Sequence, residues 1–224
     1  MPEWGPILLS FKLAMVSTLV LLVICFPLAC LFAFKPFKYK AVVETITTLP
    51  IIIPPSVLGF YLLMVLSTKG VIGGFFQDVF HIRIAFTFTG MVIAACIFSL
   101  PFMFQPLAAG LESMDKSLID ASYACGKSRT QTFFQIILPN IKSIVLMAMV
   151  MTFAHTMGGF GVFLMVGGSI PGKTNIASIA IYEKVMELDF ASANTYSLFL
   201  LAVSFLVLGI VFKLKRRTRN GAHV

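Results

Sequence analysis

The stretch Gly167-Gly168-Ser169-Ile170-Pro171-Gly172-Lys173-Thr174 carries the spacing of a phosphate-cradling loop: two glycines five apart, then Lys-Thr. In such a loop the backbone amides surround a phosphate, the lysine reaches its outer oxygens, and an acidic residue on a second strand helps hold magnesium. The apolar run 162–166 before it could pass for the required strand. No second strand ending in Asp follows at a suitable distance, since 185–189 is too near and is interrupted by Glu187. The other apolar runs are of bilayer length, which leaves no parallel sheet around the loop. Nucleotide binding is not expected here.

The remaining reactive side chains are no better arranged for chemistry. Cys25, Cys30, Cys96 and Cys125 show neither CxxC nor Cys/His spacing, and three of them lie in apolar runs. They read as buried thiols in helices rather than as a disulfide framework or a zinc site. His81, His155 and His223 have no carboxylate spaced to complete a metal site. Neither a catalytic group, a metal nor a cofactor is expected. The net charge of +8 would suit nucleic acid, but the basic residues flank apolar runs instead of forming a stripe, so no nucleic-acid partner is expected.

The elements that position these residues follow from composition. The chain is 58% hydrophobic and 12% charged, against roughly half and about a quarter in soluble domains. Only a bilayer could cover so much apolar surface. Five segments have the length to cross it, at about 10–34, 42–66, 86–106, 141–166 and 195–212. The third is softened by Ser99, Pro101 and Gln105, the fourth by His155 and a glycine cluster. Such interruptions are tolerated in lipid only where other helices or a cavity satisfy the freed groups. The first run is too long for a signal-peptide core and has no small-residue cleavage site after it, so it reads as a retained helix.

Charge asymmetry orients the chain. One face receives Lys35, Lys38, Lys40, Lys116, Lys127, Arg129, Lys142, Lys213, Lys215, Arg216, Arg217 and Arg219; the other receives Lys12, Lys69, Arg83, Lys173 and Lys184. The positive-inside rule puts the N-terminus outside and the C-terminus in the cytoplasm. The longest polar stretch between helices, 107–140, then faces the cytoplasm. It has helical periodicity through Leu111, Met114, Leu118, Ala121 and Tyr123-Ala124. An amphipathic helix there needs a protein partner or the membrane surface.

That stretch reads Asp120-Ala121-Ser122, then Gly126, and after nine intervening residues Ile136-Ile137-Leu138-Pro139. It resembles the EAA motif of ABC importer permeases, with Asp for the usual Glu at 120 and Ser for the second Ala at 122. The resemblance implies a short coupling helix, roughly 113–125, that docks on an ATP-hydrolysing subunit. Small residues at Ala121, Ser122 and Ala124 would let it sit deep in a groove. Gly126 can take the positive φ that ends one helix and redirects the chain. Leu138-Pro139 is expected to begin the next membrane helix, with Pro in its first turn.

Two further stretches are similar to molybdate permeases and, more distantly, to sulfate permeases. They are Leu49-Pro50-Ile51-Ile52-Ile53-Pro54-Pro55-Ser56-Val57-Leu58-Gly59 and the run from Phe153-Ala154-His155-Thr156-Met157-Gly158-Gly159-Phe160-Gly161 to Tyr182. With the coupling motif, the resemblance covers about residues 8 to 212. One departure matters: the family commonly has Gly-Glu-Phe-Gly where this chain has Gly158-Gly159-Phe160-Gly161, so any role of that carboxylate does not carry over. Pro54-Pro55 removes two backbone donors near mid-membrane and should kink the second helix. Gly158, Gly159 and Gly161 allow close approach and bending at a gate. Pro54, Pro55, Ser56, His155, Gly158, Gly159 and Gly161 are therefore the candidates for the path or gate.

The resulting expectation is an all-α membrane protein, one transmembrane domain over residues 1–224 with about five membrane helices and a cytoplasmic coupling segment at about 107–140. As the resemblance implies, it would pass molybdate through the plasma membrane of a prokaryote as a homodimer. Two ATP-binding subunits and an extracytoplasmic oxyanion-binding protein would complete the transporter, and the chain itself would do no covalent chemistry. Sulfate or tungstate are the alternative cargoes. A secondary transporter would fit the hydropathy but leave the coupling motif without purpose.

Overall fold

The computed structural model describes residues 4–34 and 38–221, with side chains described as far as Lys213. Lys35 of the orienting charges, and the side chains of Lys215, Arg216, Arg217 and Arg219, lie outside what is described. The described residues form helices α1 (Gly5–Phe34), α2 (Lys40–Ile52), α3 (Pro55–Leu66), α4 (Val71–Phe80), α5 (Phe88–Glu112) and α6 (Lys116–Ala124). There follow α7 (Arg129–Thr132), a π-helical turn (Phe133–Ile137), α8 (Leu138–Gly158), α9 (Gly161–Gly167), α10 (Ala177–Met186) and α11 (Phe190–Gly221).

Five continuous or nearly continuous helical stretches among them have membrane length and hydropathy: Gly5–Phe34, Pro55–Phe80, Phe88–Glu112, Arg129–Gly158 and Phe190–Lys213. The count matches expectation; the boundaries of the second and fourth do not. The apolar run 42–66 is two helices, because Pro54 and Pro55 cannot donate to the turn before them. α8 begins at Leu138 with Pro139 in its first turn, as expected, but α7 and the π turn lead into it without a break, so the fourth stretch runs from Arg129 and stops at Gly158 rather than continuing to 166. Pro139 would clash with an α-turn leading into it. The chain widens there instead, with the Leu138 N–H reaching back to the Phe133 carbonyl.

At the centre stands α5, capped by Thr87, whose side chain accepts from the Gly90 N–H at 3.2 Å. It packs against α1, α2, α8 and α9. One core joins Leu13, Met91, Phe98, Val162 and Phe163; a second joins Leu21, Phe32, Leu107 and Ile141. The outward faces are apolar too, with Val23, Phe205, Leu206 and Phe212 exposed. That surface suits lipid tails, which make no demand for polar groups. Some hydroxyls within the spans are satisfied by their own helices, as Ser10 donates to Pro6 O at 3.0 Å and Ser17 to Leu13 O at 2.7 Å.

The region 167–194, expected as an outer loop, holds a re-entrant element. From the break at Gly159, α9 runs to the level of Phe86, whose N–H donates to the Val166 carbonyl at 2.9 Å. The chain then returns to the depth of the break, where the Ser178 hydroxyl donates to the Gly159 carbonyl at 2.7 Å. The Ala177 N–H, at the same depth, donates to Ser10 Oγ on α1 at 2.8 Å. Hydropathy reads α8 and α9 as one span because both are apolar.

Candidate coupling surface and translocation path

At the α6 end, short-range chemistry builds a compact surface. Asp115 caps α6, its carboxylate accepting from the Ser117 N–H at 2.9 Å. That hydrogen bond holds the Asp115 carboxyl below the usual carboxylate range. The helix closes with paired bonds from Lys127 N–H to Ser122 O (3.2 Å) and from Gly126 N–H to Tyr123 O (2.9 Å). Gly126 has φ 77°, the left-handed value that this closing motif needs. Ser128 and Gln131 then cap α7 reciprocally: Ser128 N–H to Gln131 Oε1 at 2.8 Å, and Gln131 N–H to Ser128 Oγ at 3.3 Å.

The motif residues divide between two faces. Ser122 is buried with its hydroxyl 2.9 Å from that of Thr132, so it ties α6 to α7 rather than pointing outward. Asp120, Ala121 and Ala124 are exposed, with Leu118 and Tyr123 beside them. Ile136 lies half-buried in the π turn, Leu138 half-buried after it, and Pro139 exposed. The Asn140 side chain donates to the Ile136 carbonyl at 2.7 Å, which satisfies a group left over by the irregular turn. Lys40 and Glu112 form an ion pair that joins α2 to the end of α5.

Mid-bundle, two helix breaks meet. Between α2 and α3, Ile53 and Pro54 are extended, with ψ near 130° and 134°. Pro54, Pro55 and Ser56 are exposed. Between α8 and α9, Gly159 is extended at ψ 138°. The two breaks lie side by side: a Cβ on Gly161 would stand 3.4 Å from Ser56 N and 3.5 Å from Pro55 Cβ. The helices beyond them are closer still, since a Cβ on Gly59 would lie 2.9 Å from Val162 Cα.

The three candidate glycines differ. Gly158 faces open space, so close packing does not explain it. Gly161 has ordinary room for a methyl group. Gly159 has none, because a Cβ there would lie 2.4 Å from the Phe163 ring and 3.0 Å from that of Phe98. The two phenylalanines fill the space a larger residue would need, which matches the absence of a carboxylate at this position.

His155 lies one turn before the break, half-buried between the rings of Phe98 and Phe102. Its Nδ1 is 3.1 Å from Ser99 Oγ, which is 2.9 Å from Thr156 Oγ1. Sequence reading singled out His155 but missed Ser99, Thr156, Ser178 and Ser10. Only Ser99 gave a signal, as a polar residue inside an apolar span.

The stretch from Gly167 to Thr174 connects α9 to α10, and its amides turn inward. The N–H groups of Lys173, Thr174 and Asn175 all donate to the Ile170 carbonyl, at 3.1, 2.9 and 3.2 Å. Thr174 Oγ1 accepts from Ile170 N–H at 3.0 Å. A phosphate cradle needs those donors free.

Solved structures of ABC transporters share this architecture. The methionine transporter MetNI, in inward-facing form, matches with TM-score 0.69 at 19% identity, over 96% of this chain and 94% of that one. A bacterial alginate transporter, solved in complex with a periplasmic protein carrying an alginate pentasaccharide, matches with TM-score 0.72 at 18% identity, over 98% and 79%. The fold is therefore that of an ABC importer permease. The chain belongs to the family of binding-protein-dependent transport system inner membrane components, which it matches over residues 25–220.

Among its relatives is the molybdenum transport system permease protein of Azotobacter vinelandii, 34% identical over 96% of this chain and 95% of that protein. The protein of the same description from Escherichia coli K12 is 33% identical over 82% and 80%. A sulfate transport system permease protein of Synechocystis is 30% identical over 84% of this chain but 65% of its own length.

Proposed function

We propose that this chain is the membrane subunit of an importer that passes molybdate inward, driven by ATP hydrolysis on partner subunits. One observation carries the choice of cargo. The Azotobacter molybdenum relative matches this chain almost end to end, whereas about a third of the Synechocystis sulfate relative has no counterpart here. The cargo is a tetrahedral oxyanion in either case, and tungstate would share the path.

In this reading the chain is a single membrane domain over residues 1–224 and works as a homodimer, two copies enclosing a path on their shared axis. The N-terminus is outside and the C-terminus cytoplasmic, so the α6 end faces the cytoplasm. Segment 107–140 is the coupling segment. There Asp120, Ala121 and the turn at Gly126 present α6 to one of two ATP-hydrolysing subunits, while Ser122, Ile136, Leu138 and Pro139 fix its angle to the membrane helix. Pro54, Pro55, Ser56, His155, Gly158, Gly159 and Gly161 belong to the path or its gate. Their juxtaposition supports this, since two broken helices side by side free backbone groups that lipid cannot satisfy. An extracytoplasmic oxyanion-binding protein delivers the anion to the opposite face, and the chain does no covalent chemistry.

The test is uptake by proteoliposomes containing the assembled transporter, with its ATPase and its binding protein. Molybdate should enter only with ATP present, and excess sulfate should compete poorly. Sulfate uptake that molybdate fails to inhibit would overturn the cargo assignment.

A further inference from the structure

The imidazole of His155 occupies a slot one ring wide. Its centroid is 4.2 Å from that of Phe98 and 4.0 Å from that of Phe102, with interplanar angles of 30° and 27°. Both rings project from α5 four residues apart, on one side of the helix. The slot fixes the plane of the imidazole. The protons are fixed by the hydroxyls beside it.

Ser99 is 0% and Thr156 1% exposed. Among the described residues Thr156 Oγ1 has one partner, Ser99 Oγ at 2.9 Å, and Ser99 Oγ has one other, His155 Nδ1 at 3.1 Å. If Thr156 donates to Ser99 and Ser99 donates to Nδ1, both buried hydroxyl protons have acceptors. The opposite order would strand the Thr156 proton in the core, at a cost on the order of 1–3 kcal/mol. The first order leaves neither buried hydroxyl proton stranded. An imidazole that accepts at Nδ1 carries its proton on Nε2.

That Nε2–H has no hydrogen-bond partner among the described residues. His155 is half-buried, and its Nε2 is not among the buried unpartnered side-chain atoms of the described residues, which are Thr18 Oγ1, Gln77 Oε1 and Asn175 Oδ1. An unsatisfied N–H facing hydrocarbon costs several kcal/mol. This donor, one turn before the break at Gly159, therefore needs a polar partner from outside the described residues.

We infer that His155 Nε2–H is a hydrogen-bonding station for the oxyanion in transit, held in that tautomer by the Thr156–Ser99 relay; the inference rests on the oxyanion-permease reading above. A neutral donor suits a path. It offsets part of the lost hydration of the anion without holding it as a fixed cation would, and conduction requires a site the ion can leave.

Two measurements test it. In proteoliposomes of the assembled transporter, His155→Phe keeps a ring in the slot and removes the donor, whereas His155→Gln keeps an N–H. Molybdate uptake should fall about tenfold in the first, as expected for one hydrogen bond to a charged group, and recover most of the way in the second. ATP hydrolysis in both reports intact assembly. Separately, nitrogen NMR of the transporter carrying His81→Gln and His223→Gln should show the His155 proton on Nε2, and Thr156→Val should mix the tautomers. Wild-type uptake in His155→Phe, equal loss in His155→Gln, or a proton on Nδ1 would each overturn the inference. Wild-type vesicles that import neither molybdate nor sulfate would instead sink the oxyanion reading and the inference together.

Discussion

At the α6 end, polar groups are satisfied by near neighbours in sequence: Asp115 with Ser117, Ser128 with Gln131, and Ser122 with Thr132. At the paired breaks they are satisfied across the chain: Ser99 with His155 and Thr156, Ser178 with Gly159, and Ser10 with Ala177. The first pattern makes a local module held by its own neighbours, with Asp120 and Ala121 exposed on its outer face, the face proposed above to meet the ATPase. The second makes a junction whose shape depends on how α1, α5, α8 and α10 sit together. On the proposed function, the first is the handle an ATPase would move and the second the junction that would change when helices shift.

The sharpest way to break this comparison is at Gly126. A β-branched residue in a left-handed conformation costs about 1–2 kcal/mol. Gly126→Val should therefore distort the turn while leaving the membrane helices inserted. Copurification of the ATPase should fall, and uptake with it, by about tenfold or more for a loss of this size. Normal copurification would show that the handle does not depend on the turn.

Gly159 probes the other region. Its Cβ position is already occupied by the Phe163 and Phe98 rings, and overpacking of this kind costs about 1–3 kcal/mol. Gly159→Ala should lower the thermal midpoint of the purified subunit, whereas Gly158→Ala, facing open space, should not. Equal midpoints would mean that the rings move aside freely and that Gly159 is not a tight contact.

The smallest effect belongs to Asp115. Its carboxyl is held below the ordinary value when folded, so its contribution to α6 is present above the unfolded value of about 4. That contribution is lost as pH falls through the lower, folded value. Asp115→Ala should weaken ATPase association about two- to fivefold at neutral pH, with Asp115→Asn close to wild type. Binding of the α6 end to the ATPase should show no Asp115-dependent change between pH 6 and pH 8, a window far above both values. A change confined to wild type in that window would contradict the cap.

The two regions also differed in how far they could be read from sequence. Gly126 and the Leu138-Pro139 offset are short-range signals, and the turn at Gly126, the short helix before it and the start of α8 stand close to where expected. α8 opens at Leu138 with Pro139 in its first turn, as expected, but the π turn joins it to α7, so the membrane-length stretch begins earlier, at Arg129. The breaks were half legible. Pro54-Pro55 announces itself, but the stop at Gly159 lies in an apolar run whose hydropathy continues into α9. The re-entrant return through 168–176 and the cage of His155 rest on contacts between residues far apart in sequence, and periodicity carries no information about those.

The division of labour is tested most directly by the amount of molybdate taken up per ATP hydrolysed in proteoliposomes. Wild-type transporter should give a fixed ratio. Gly161→Leu, whose side chain would crowd Pro55 and Ser56 between the breaks, should keep hydrolysing ATP while uptake falls, so the ratio collapses. Gly126→Val should lose hydrolysis stimulated by the binding protein together with uptake. An unchanged ratio in Gly161→Leu, with uptake at the wild-type rate, would contradict a path through the paired breaks.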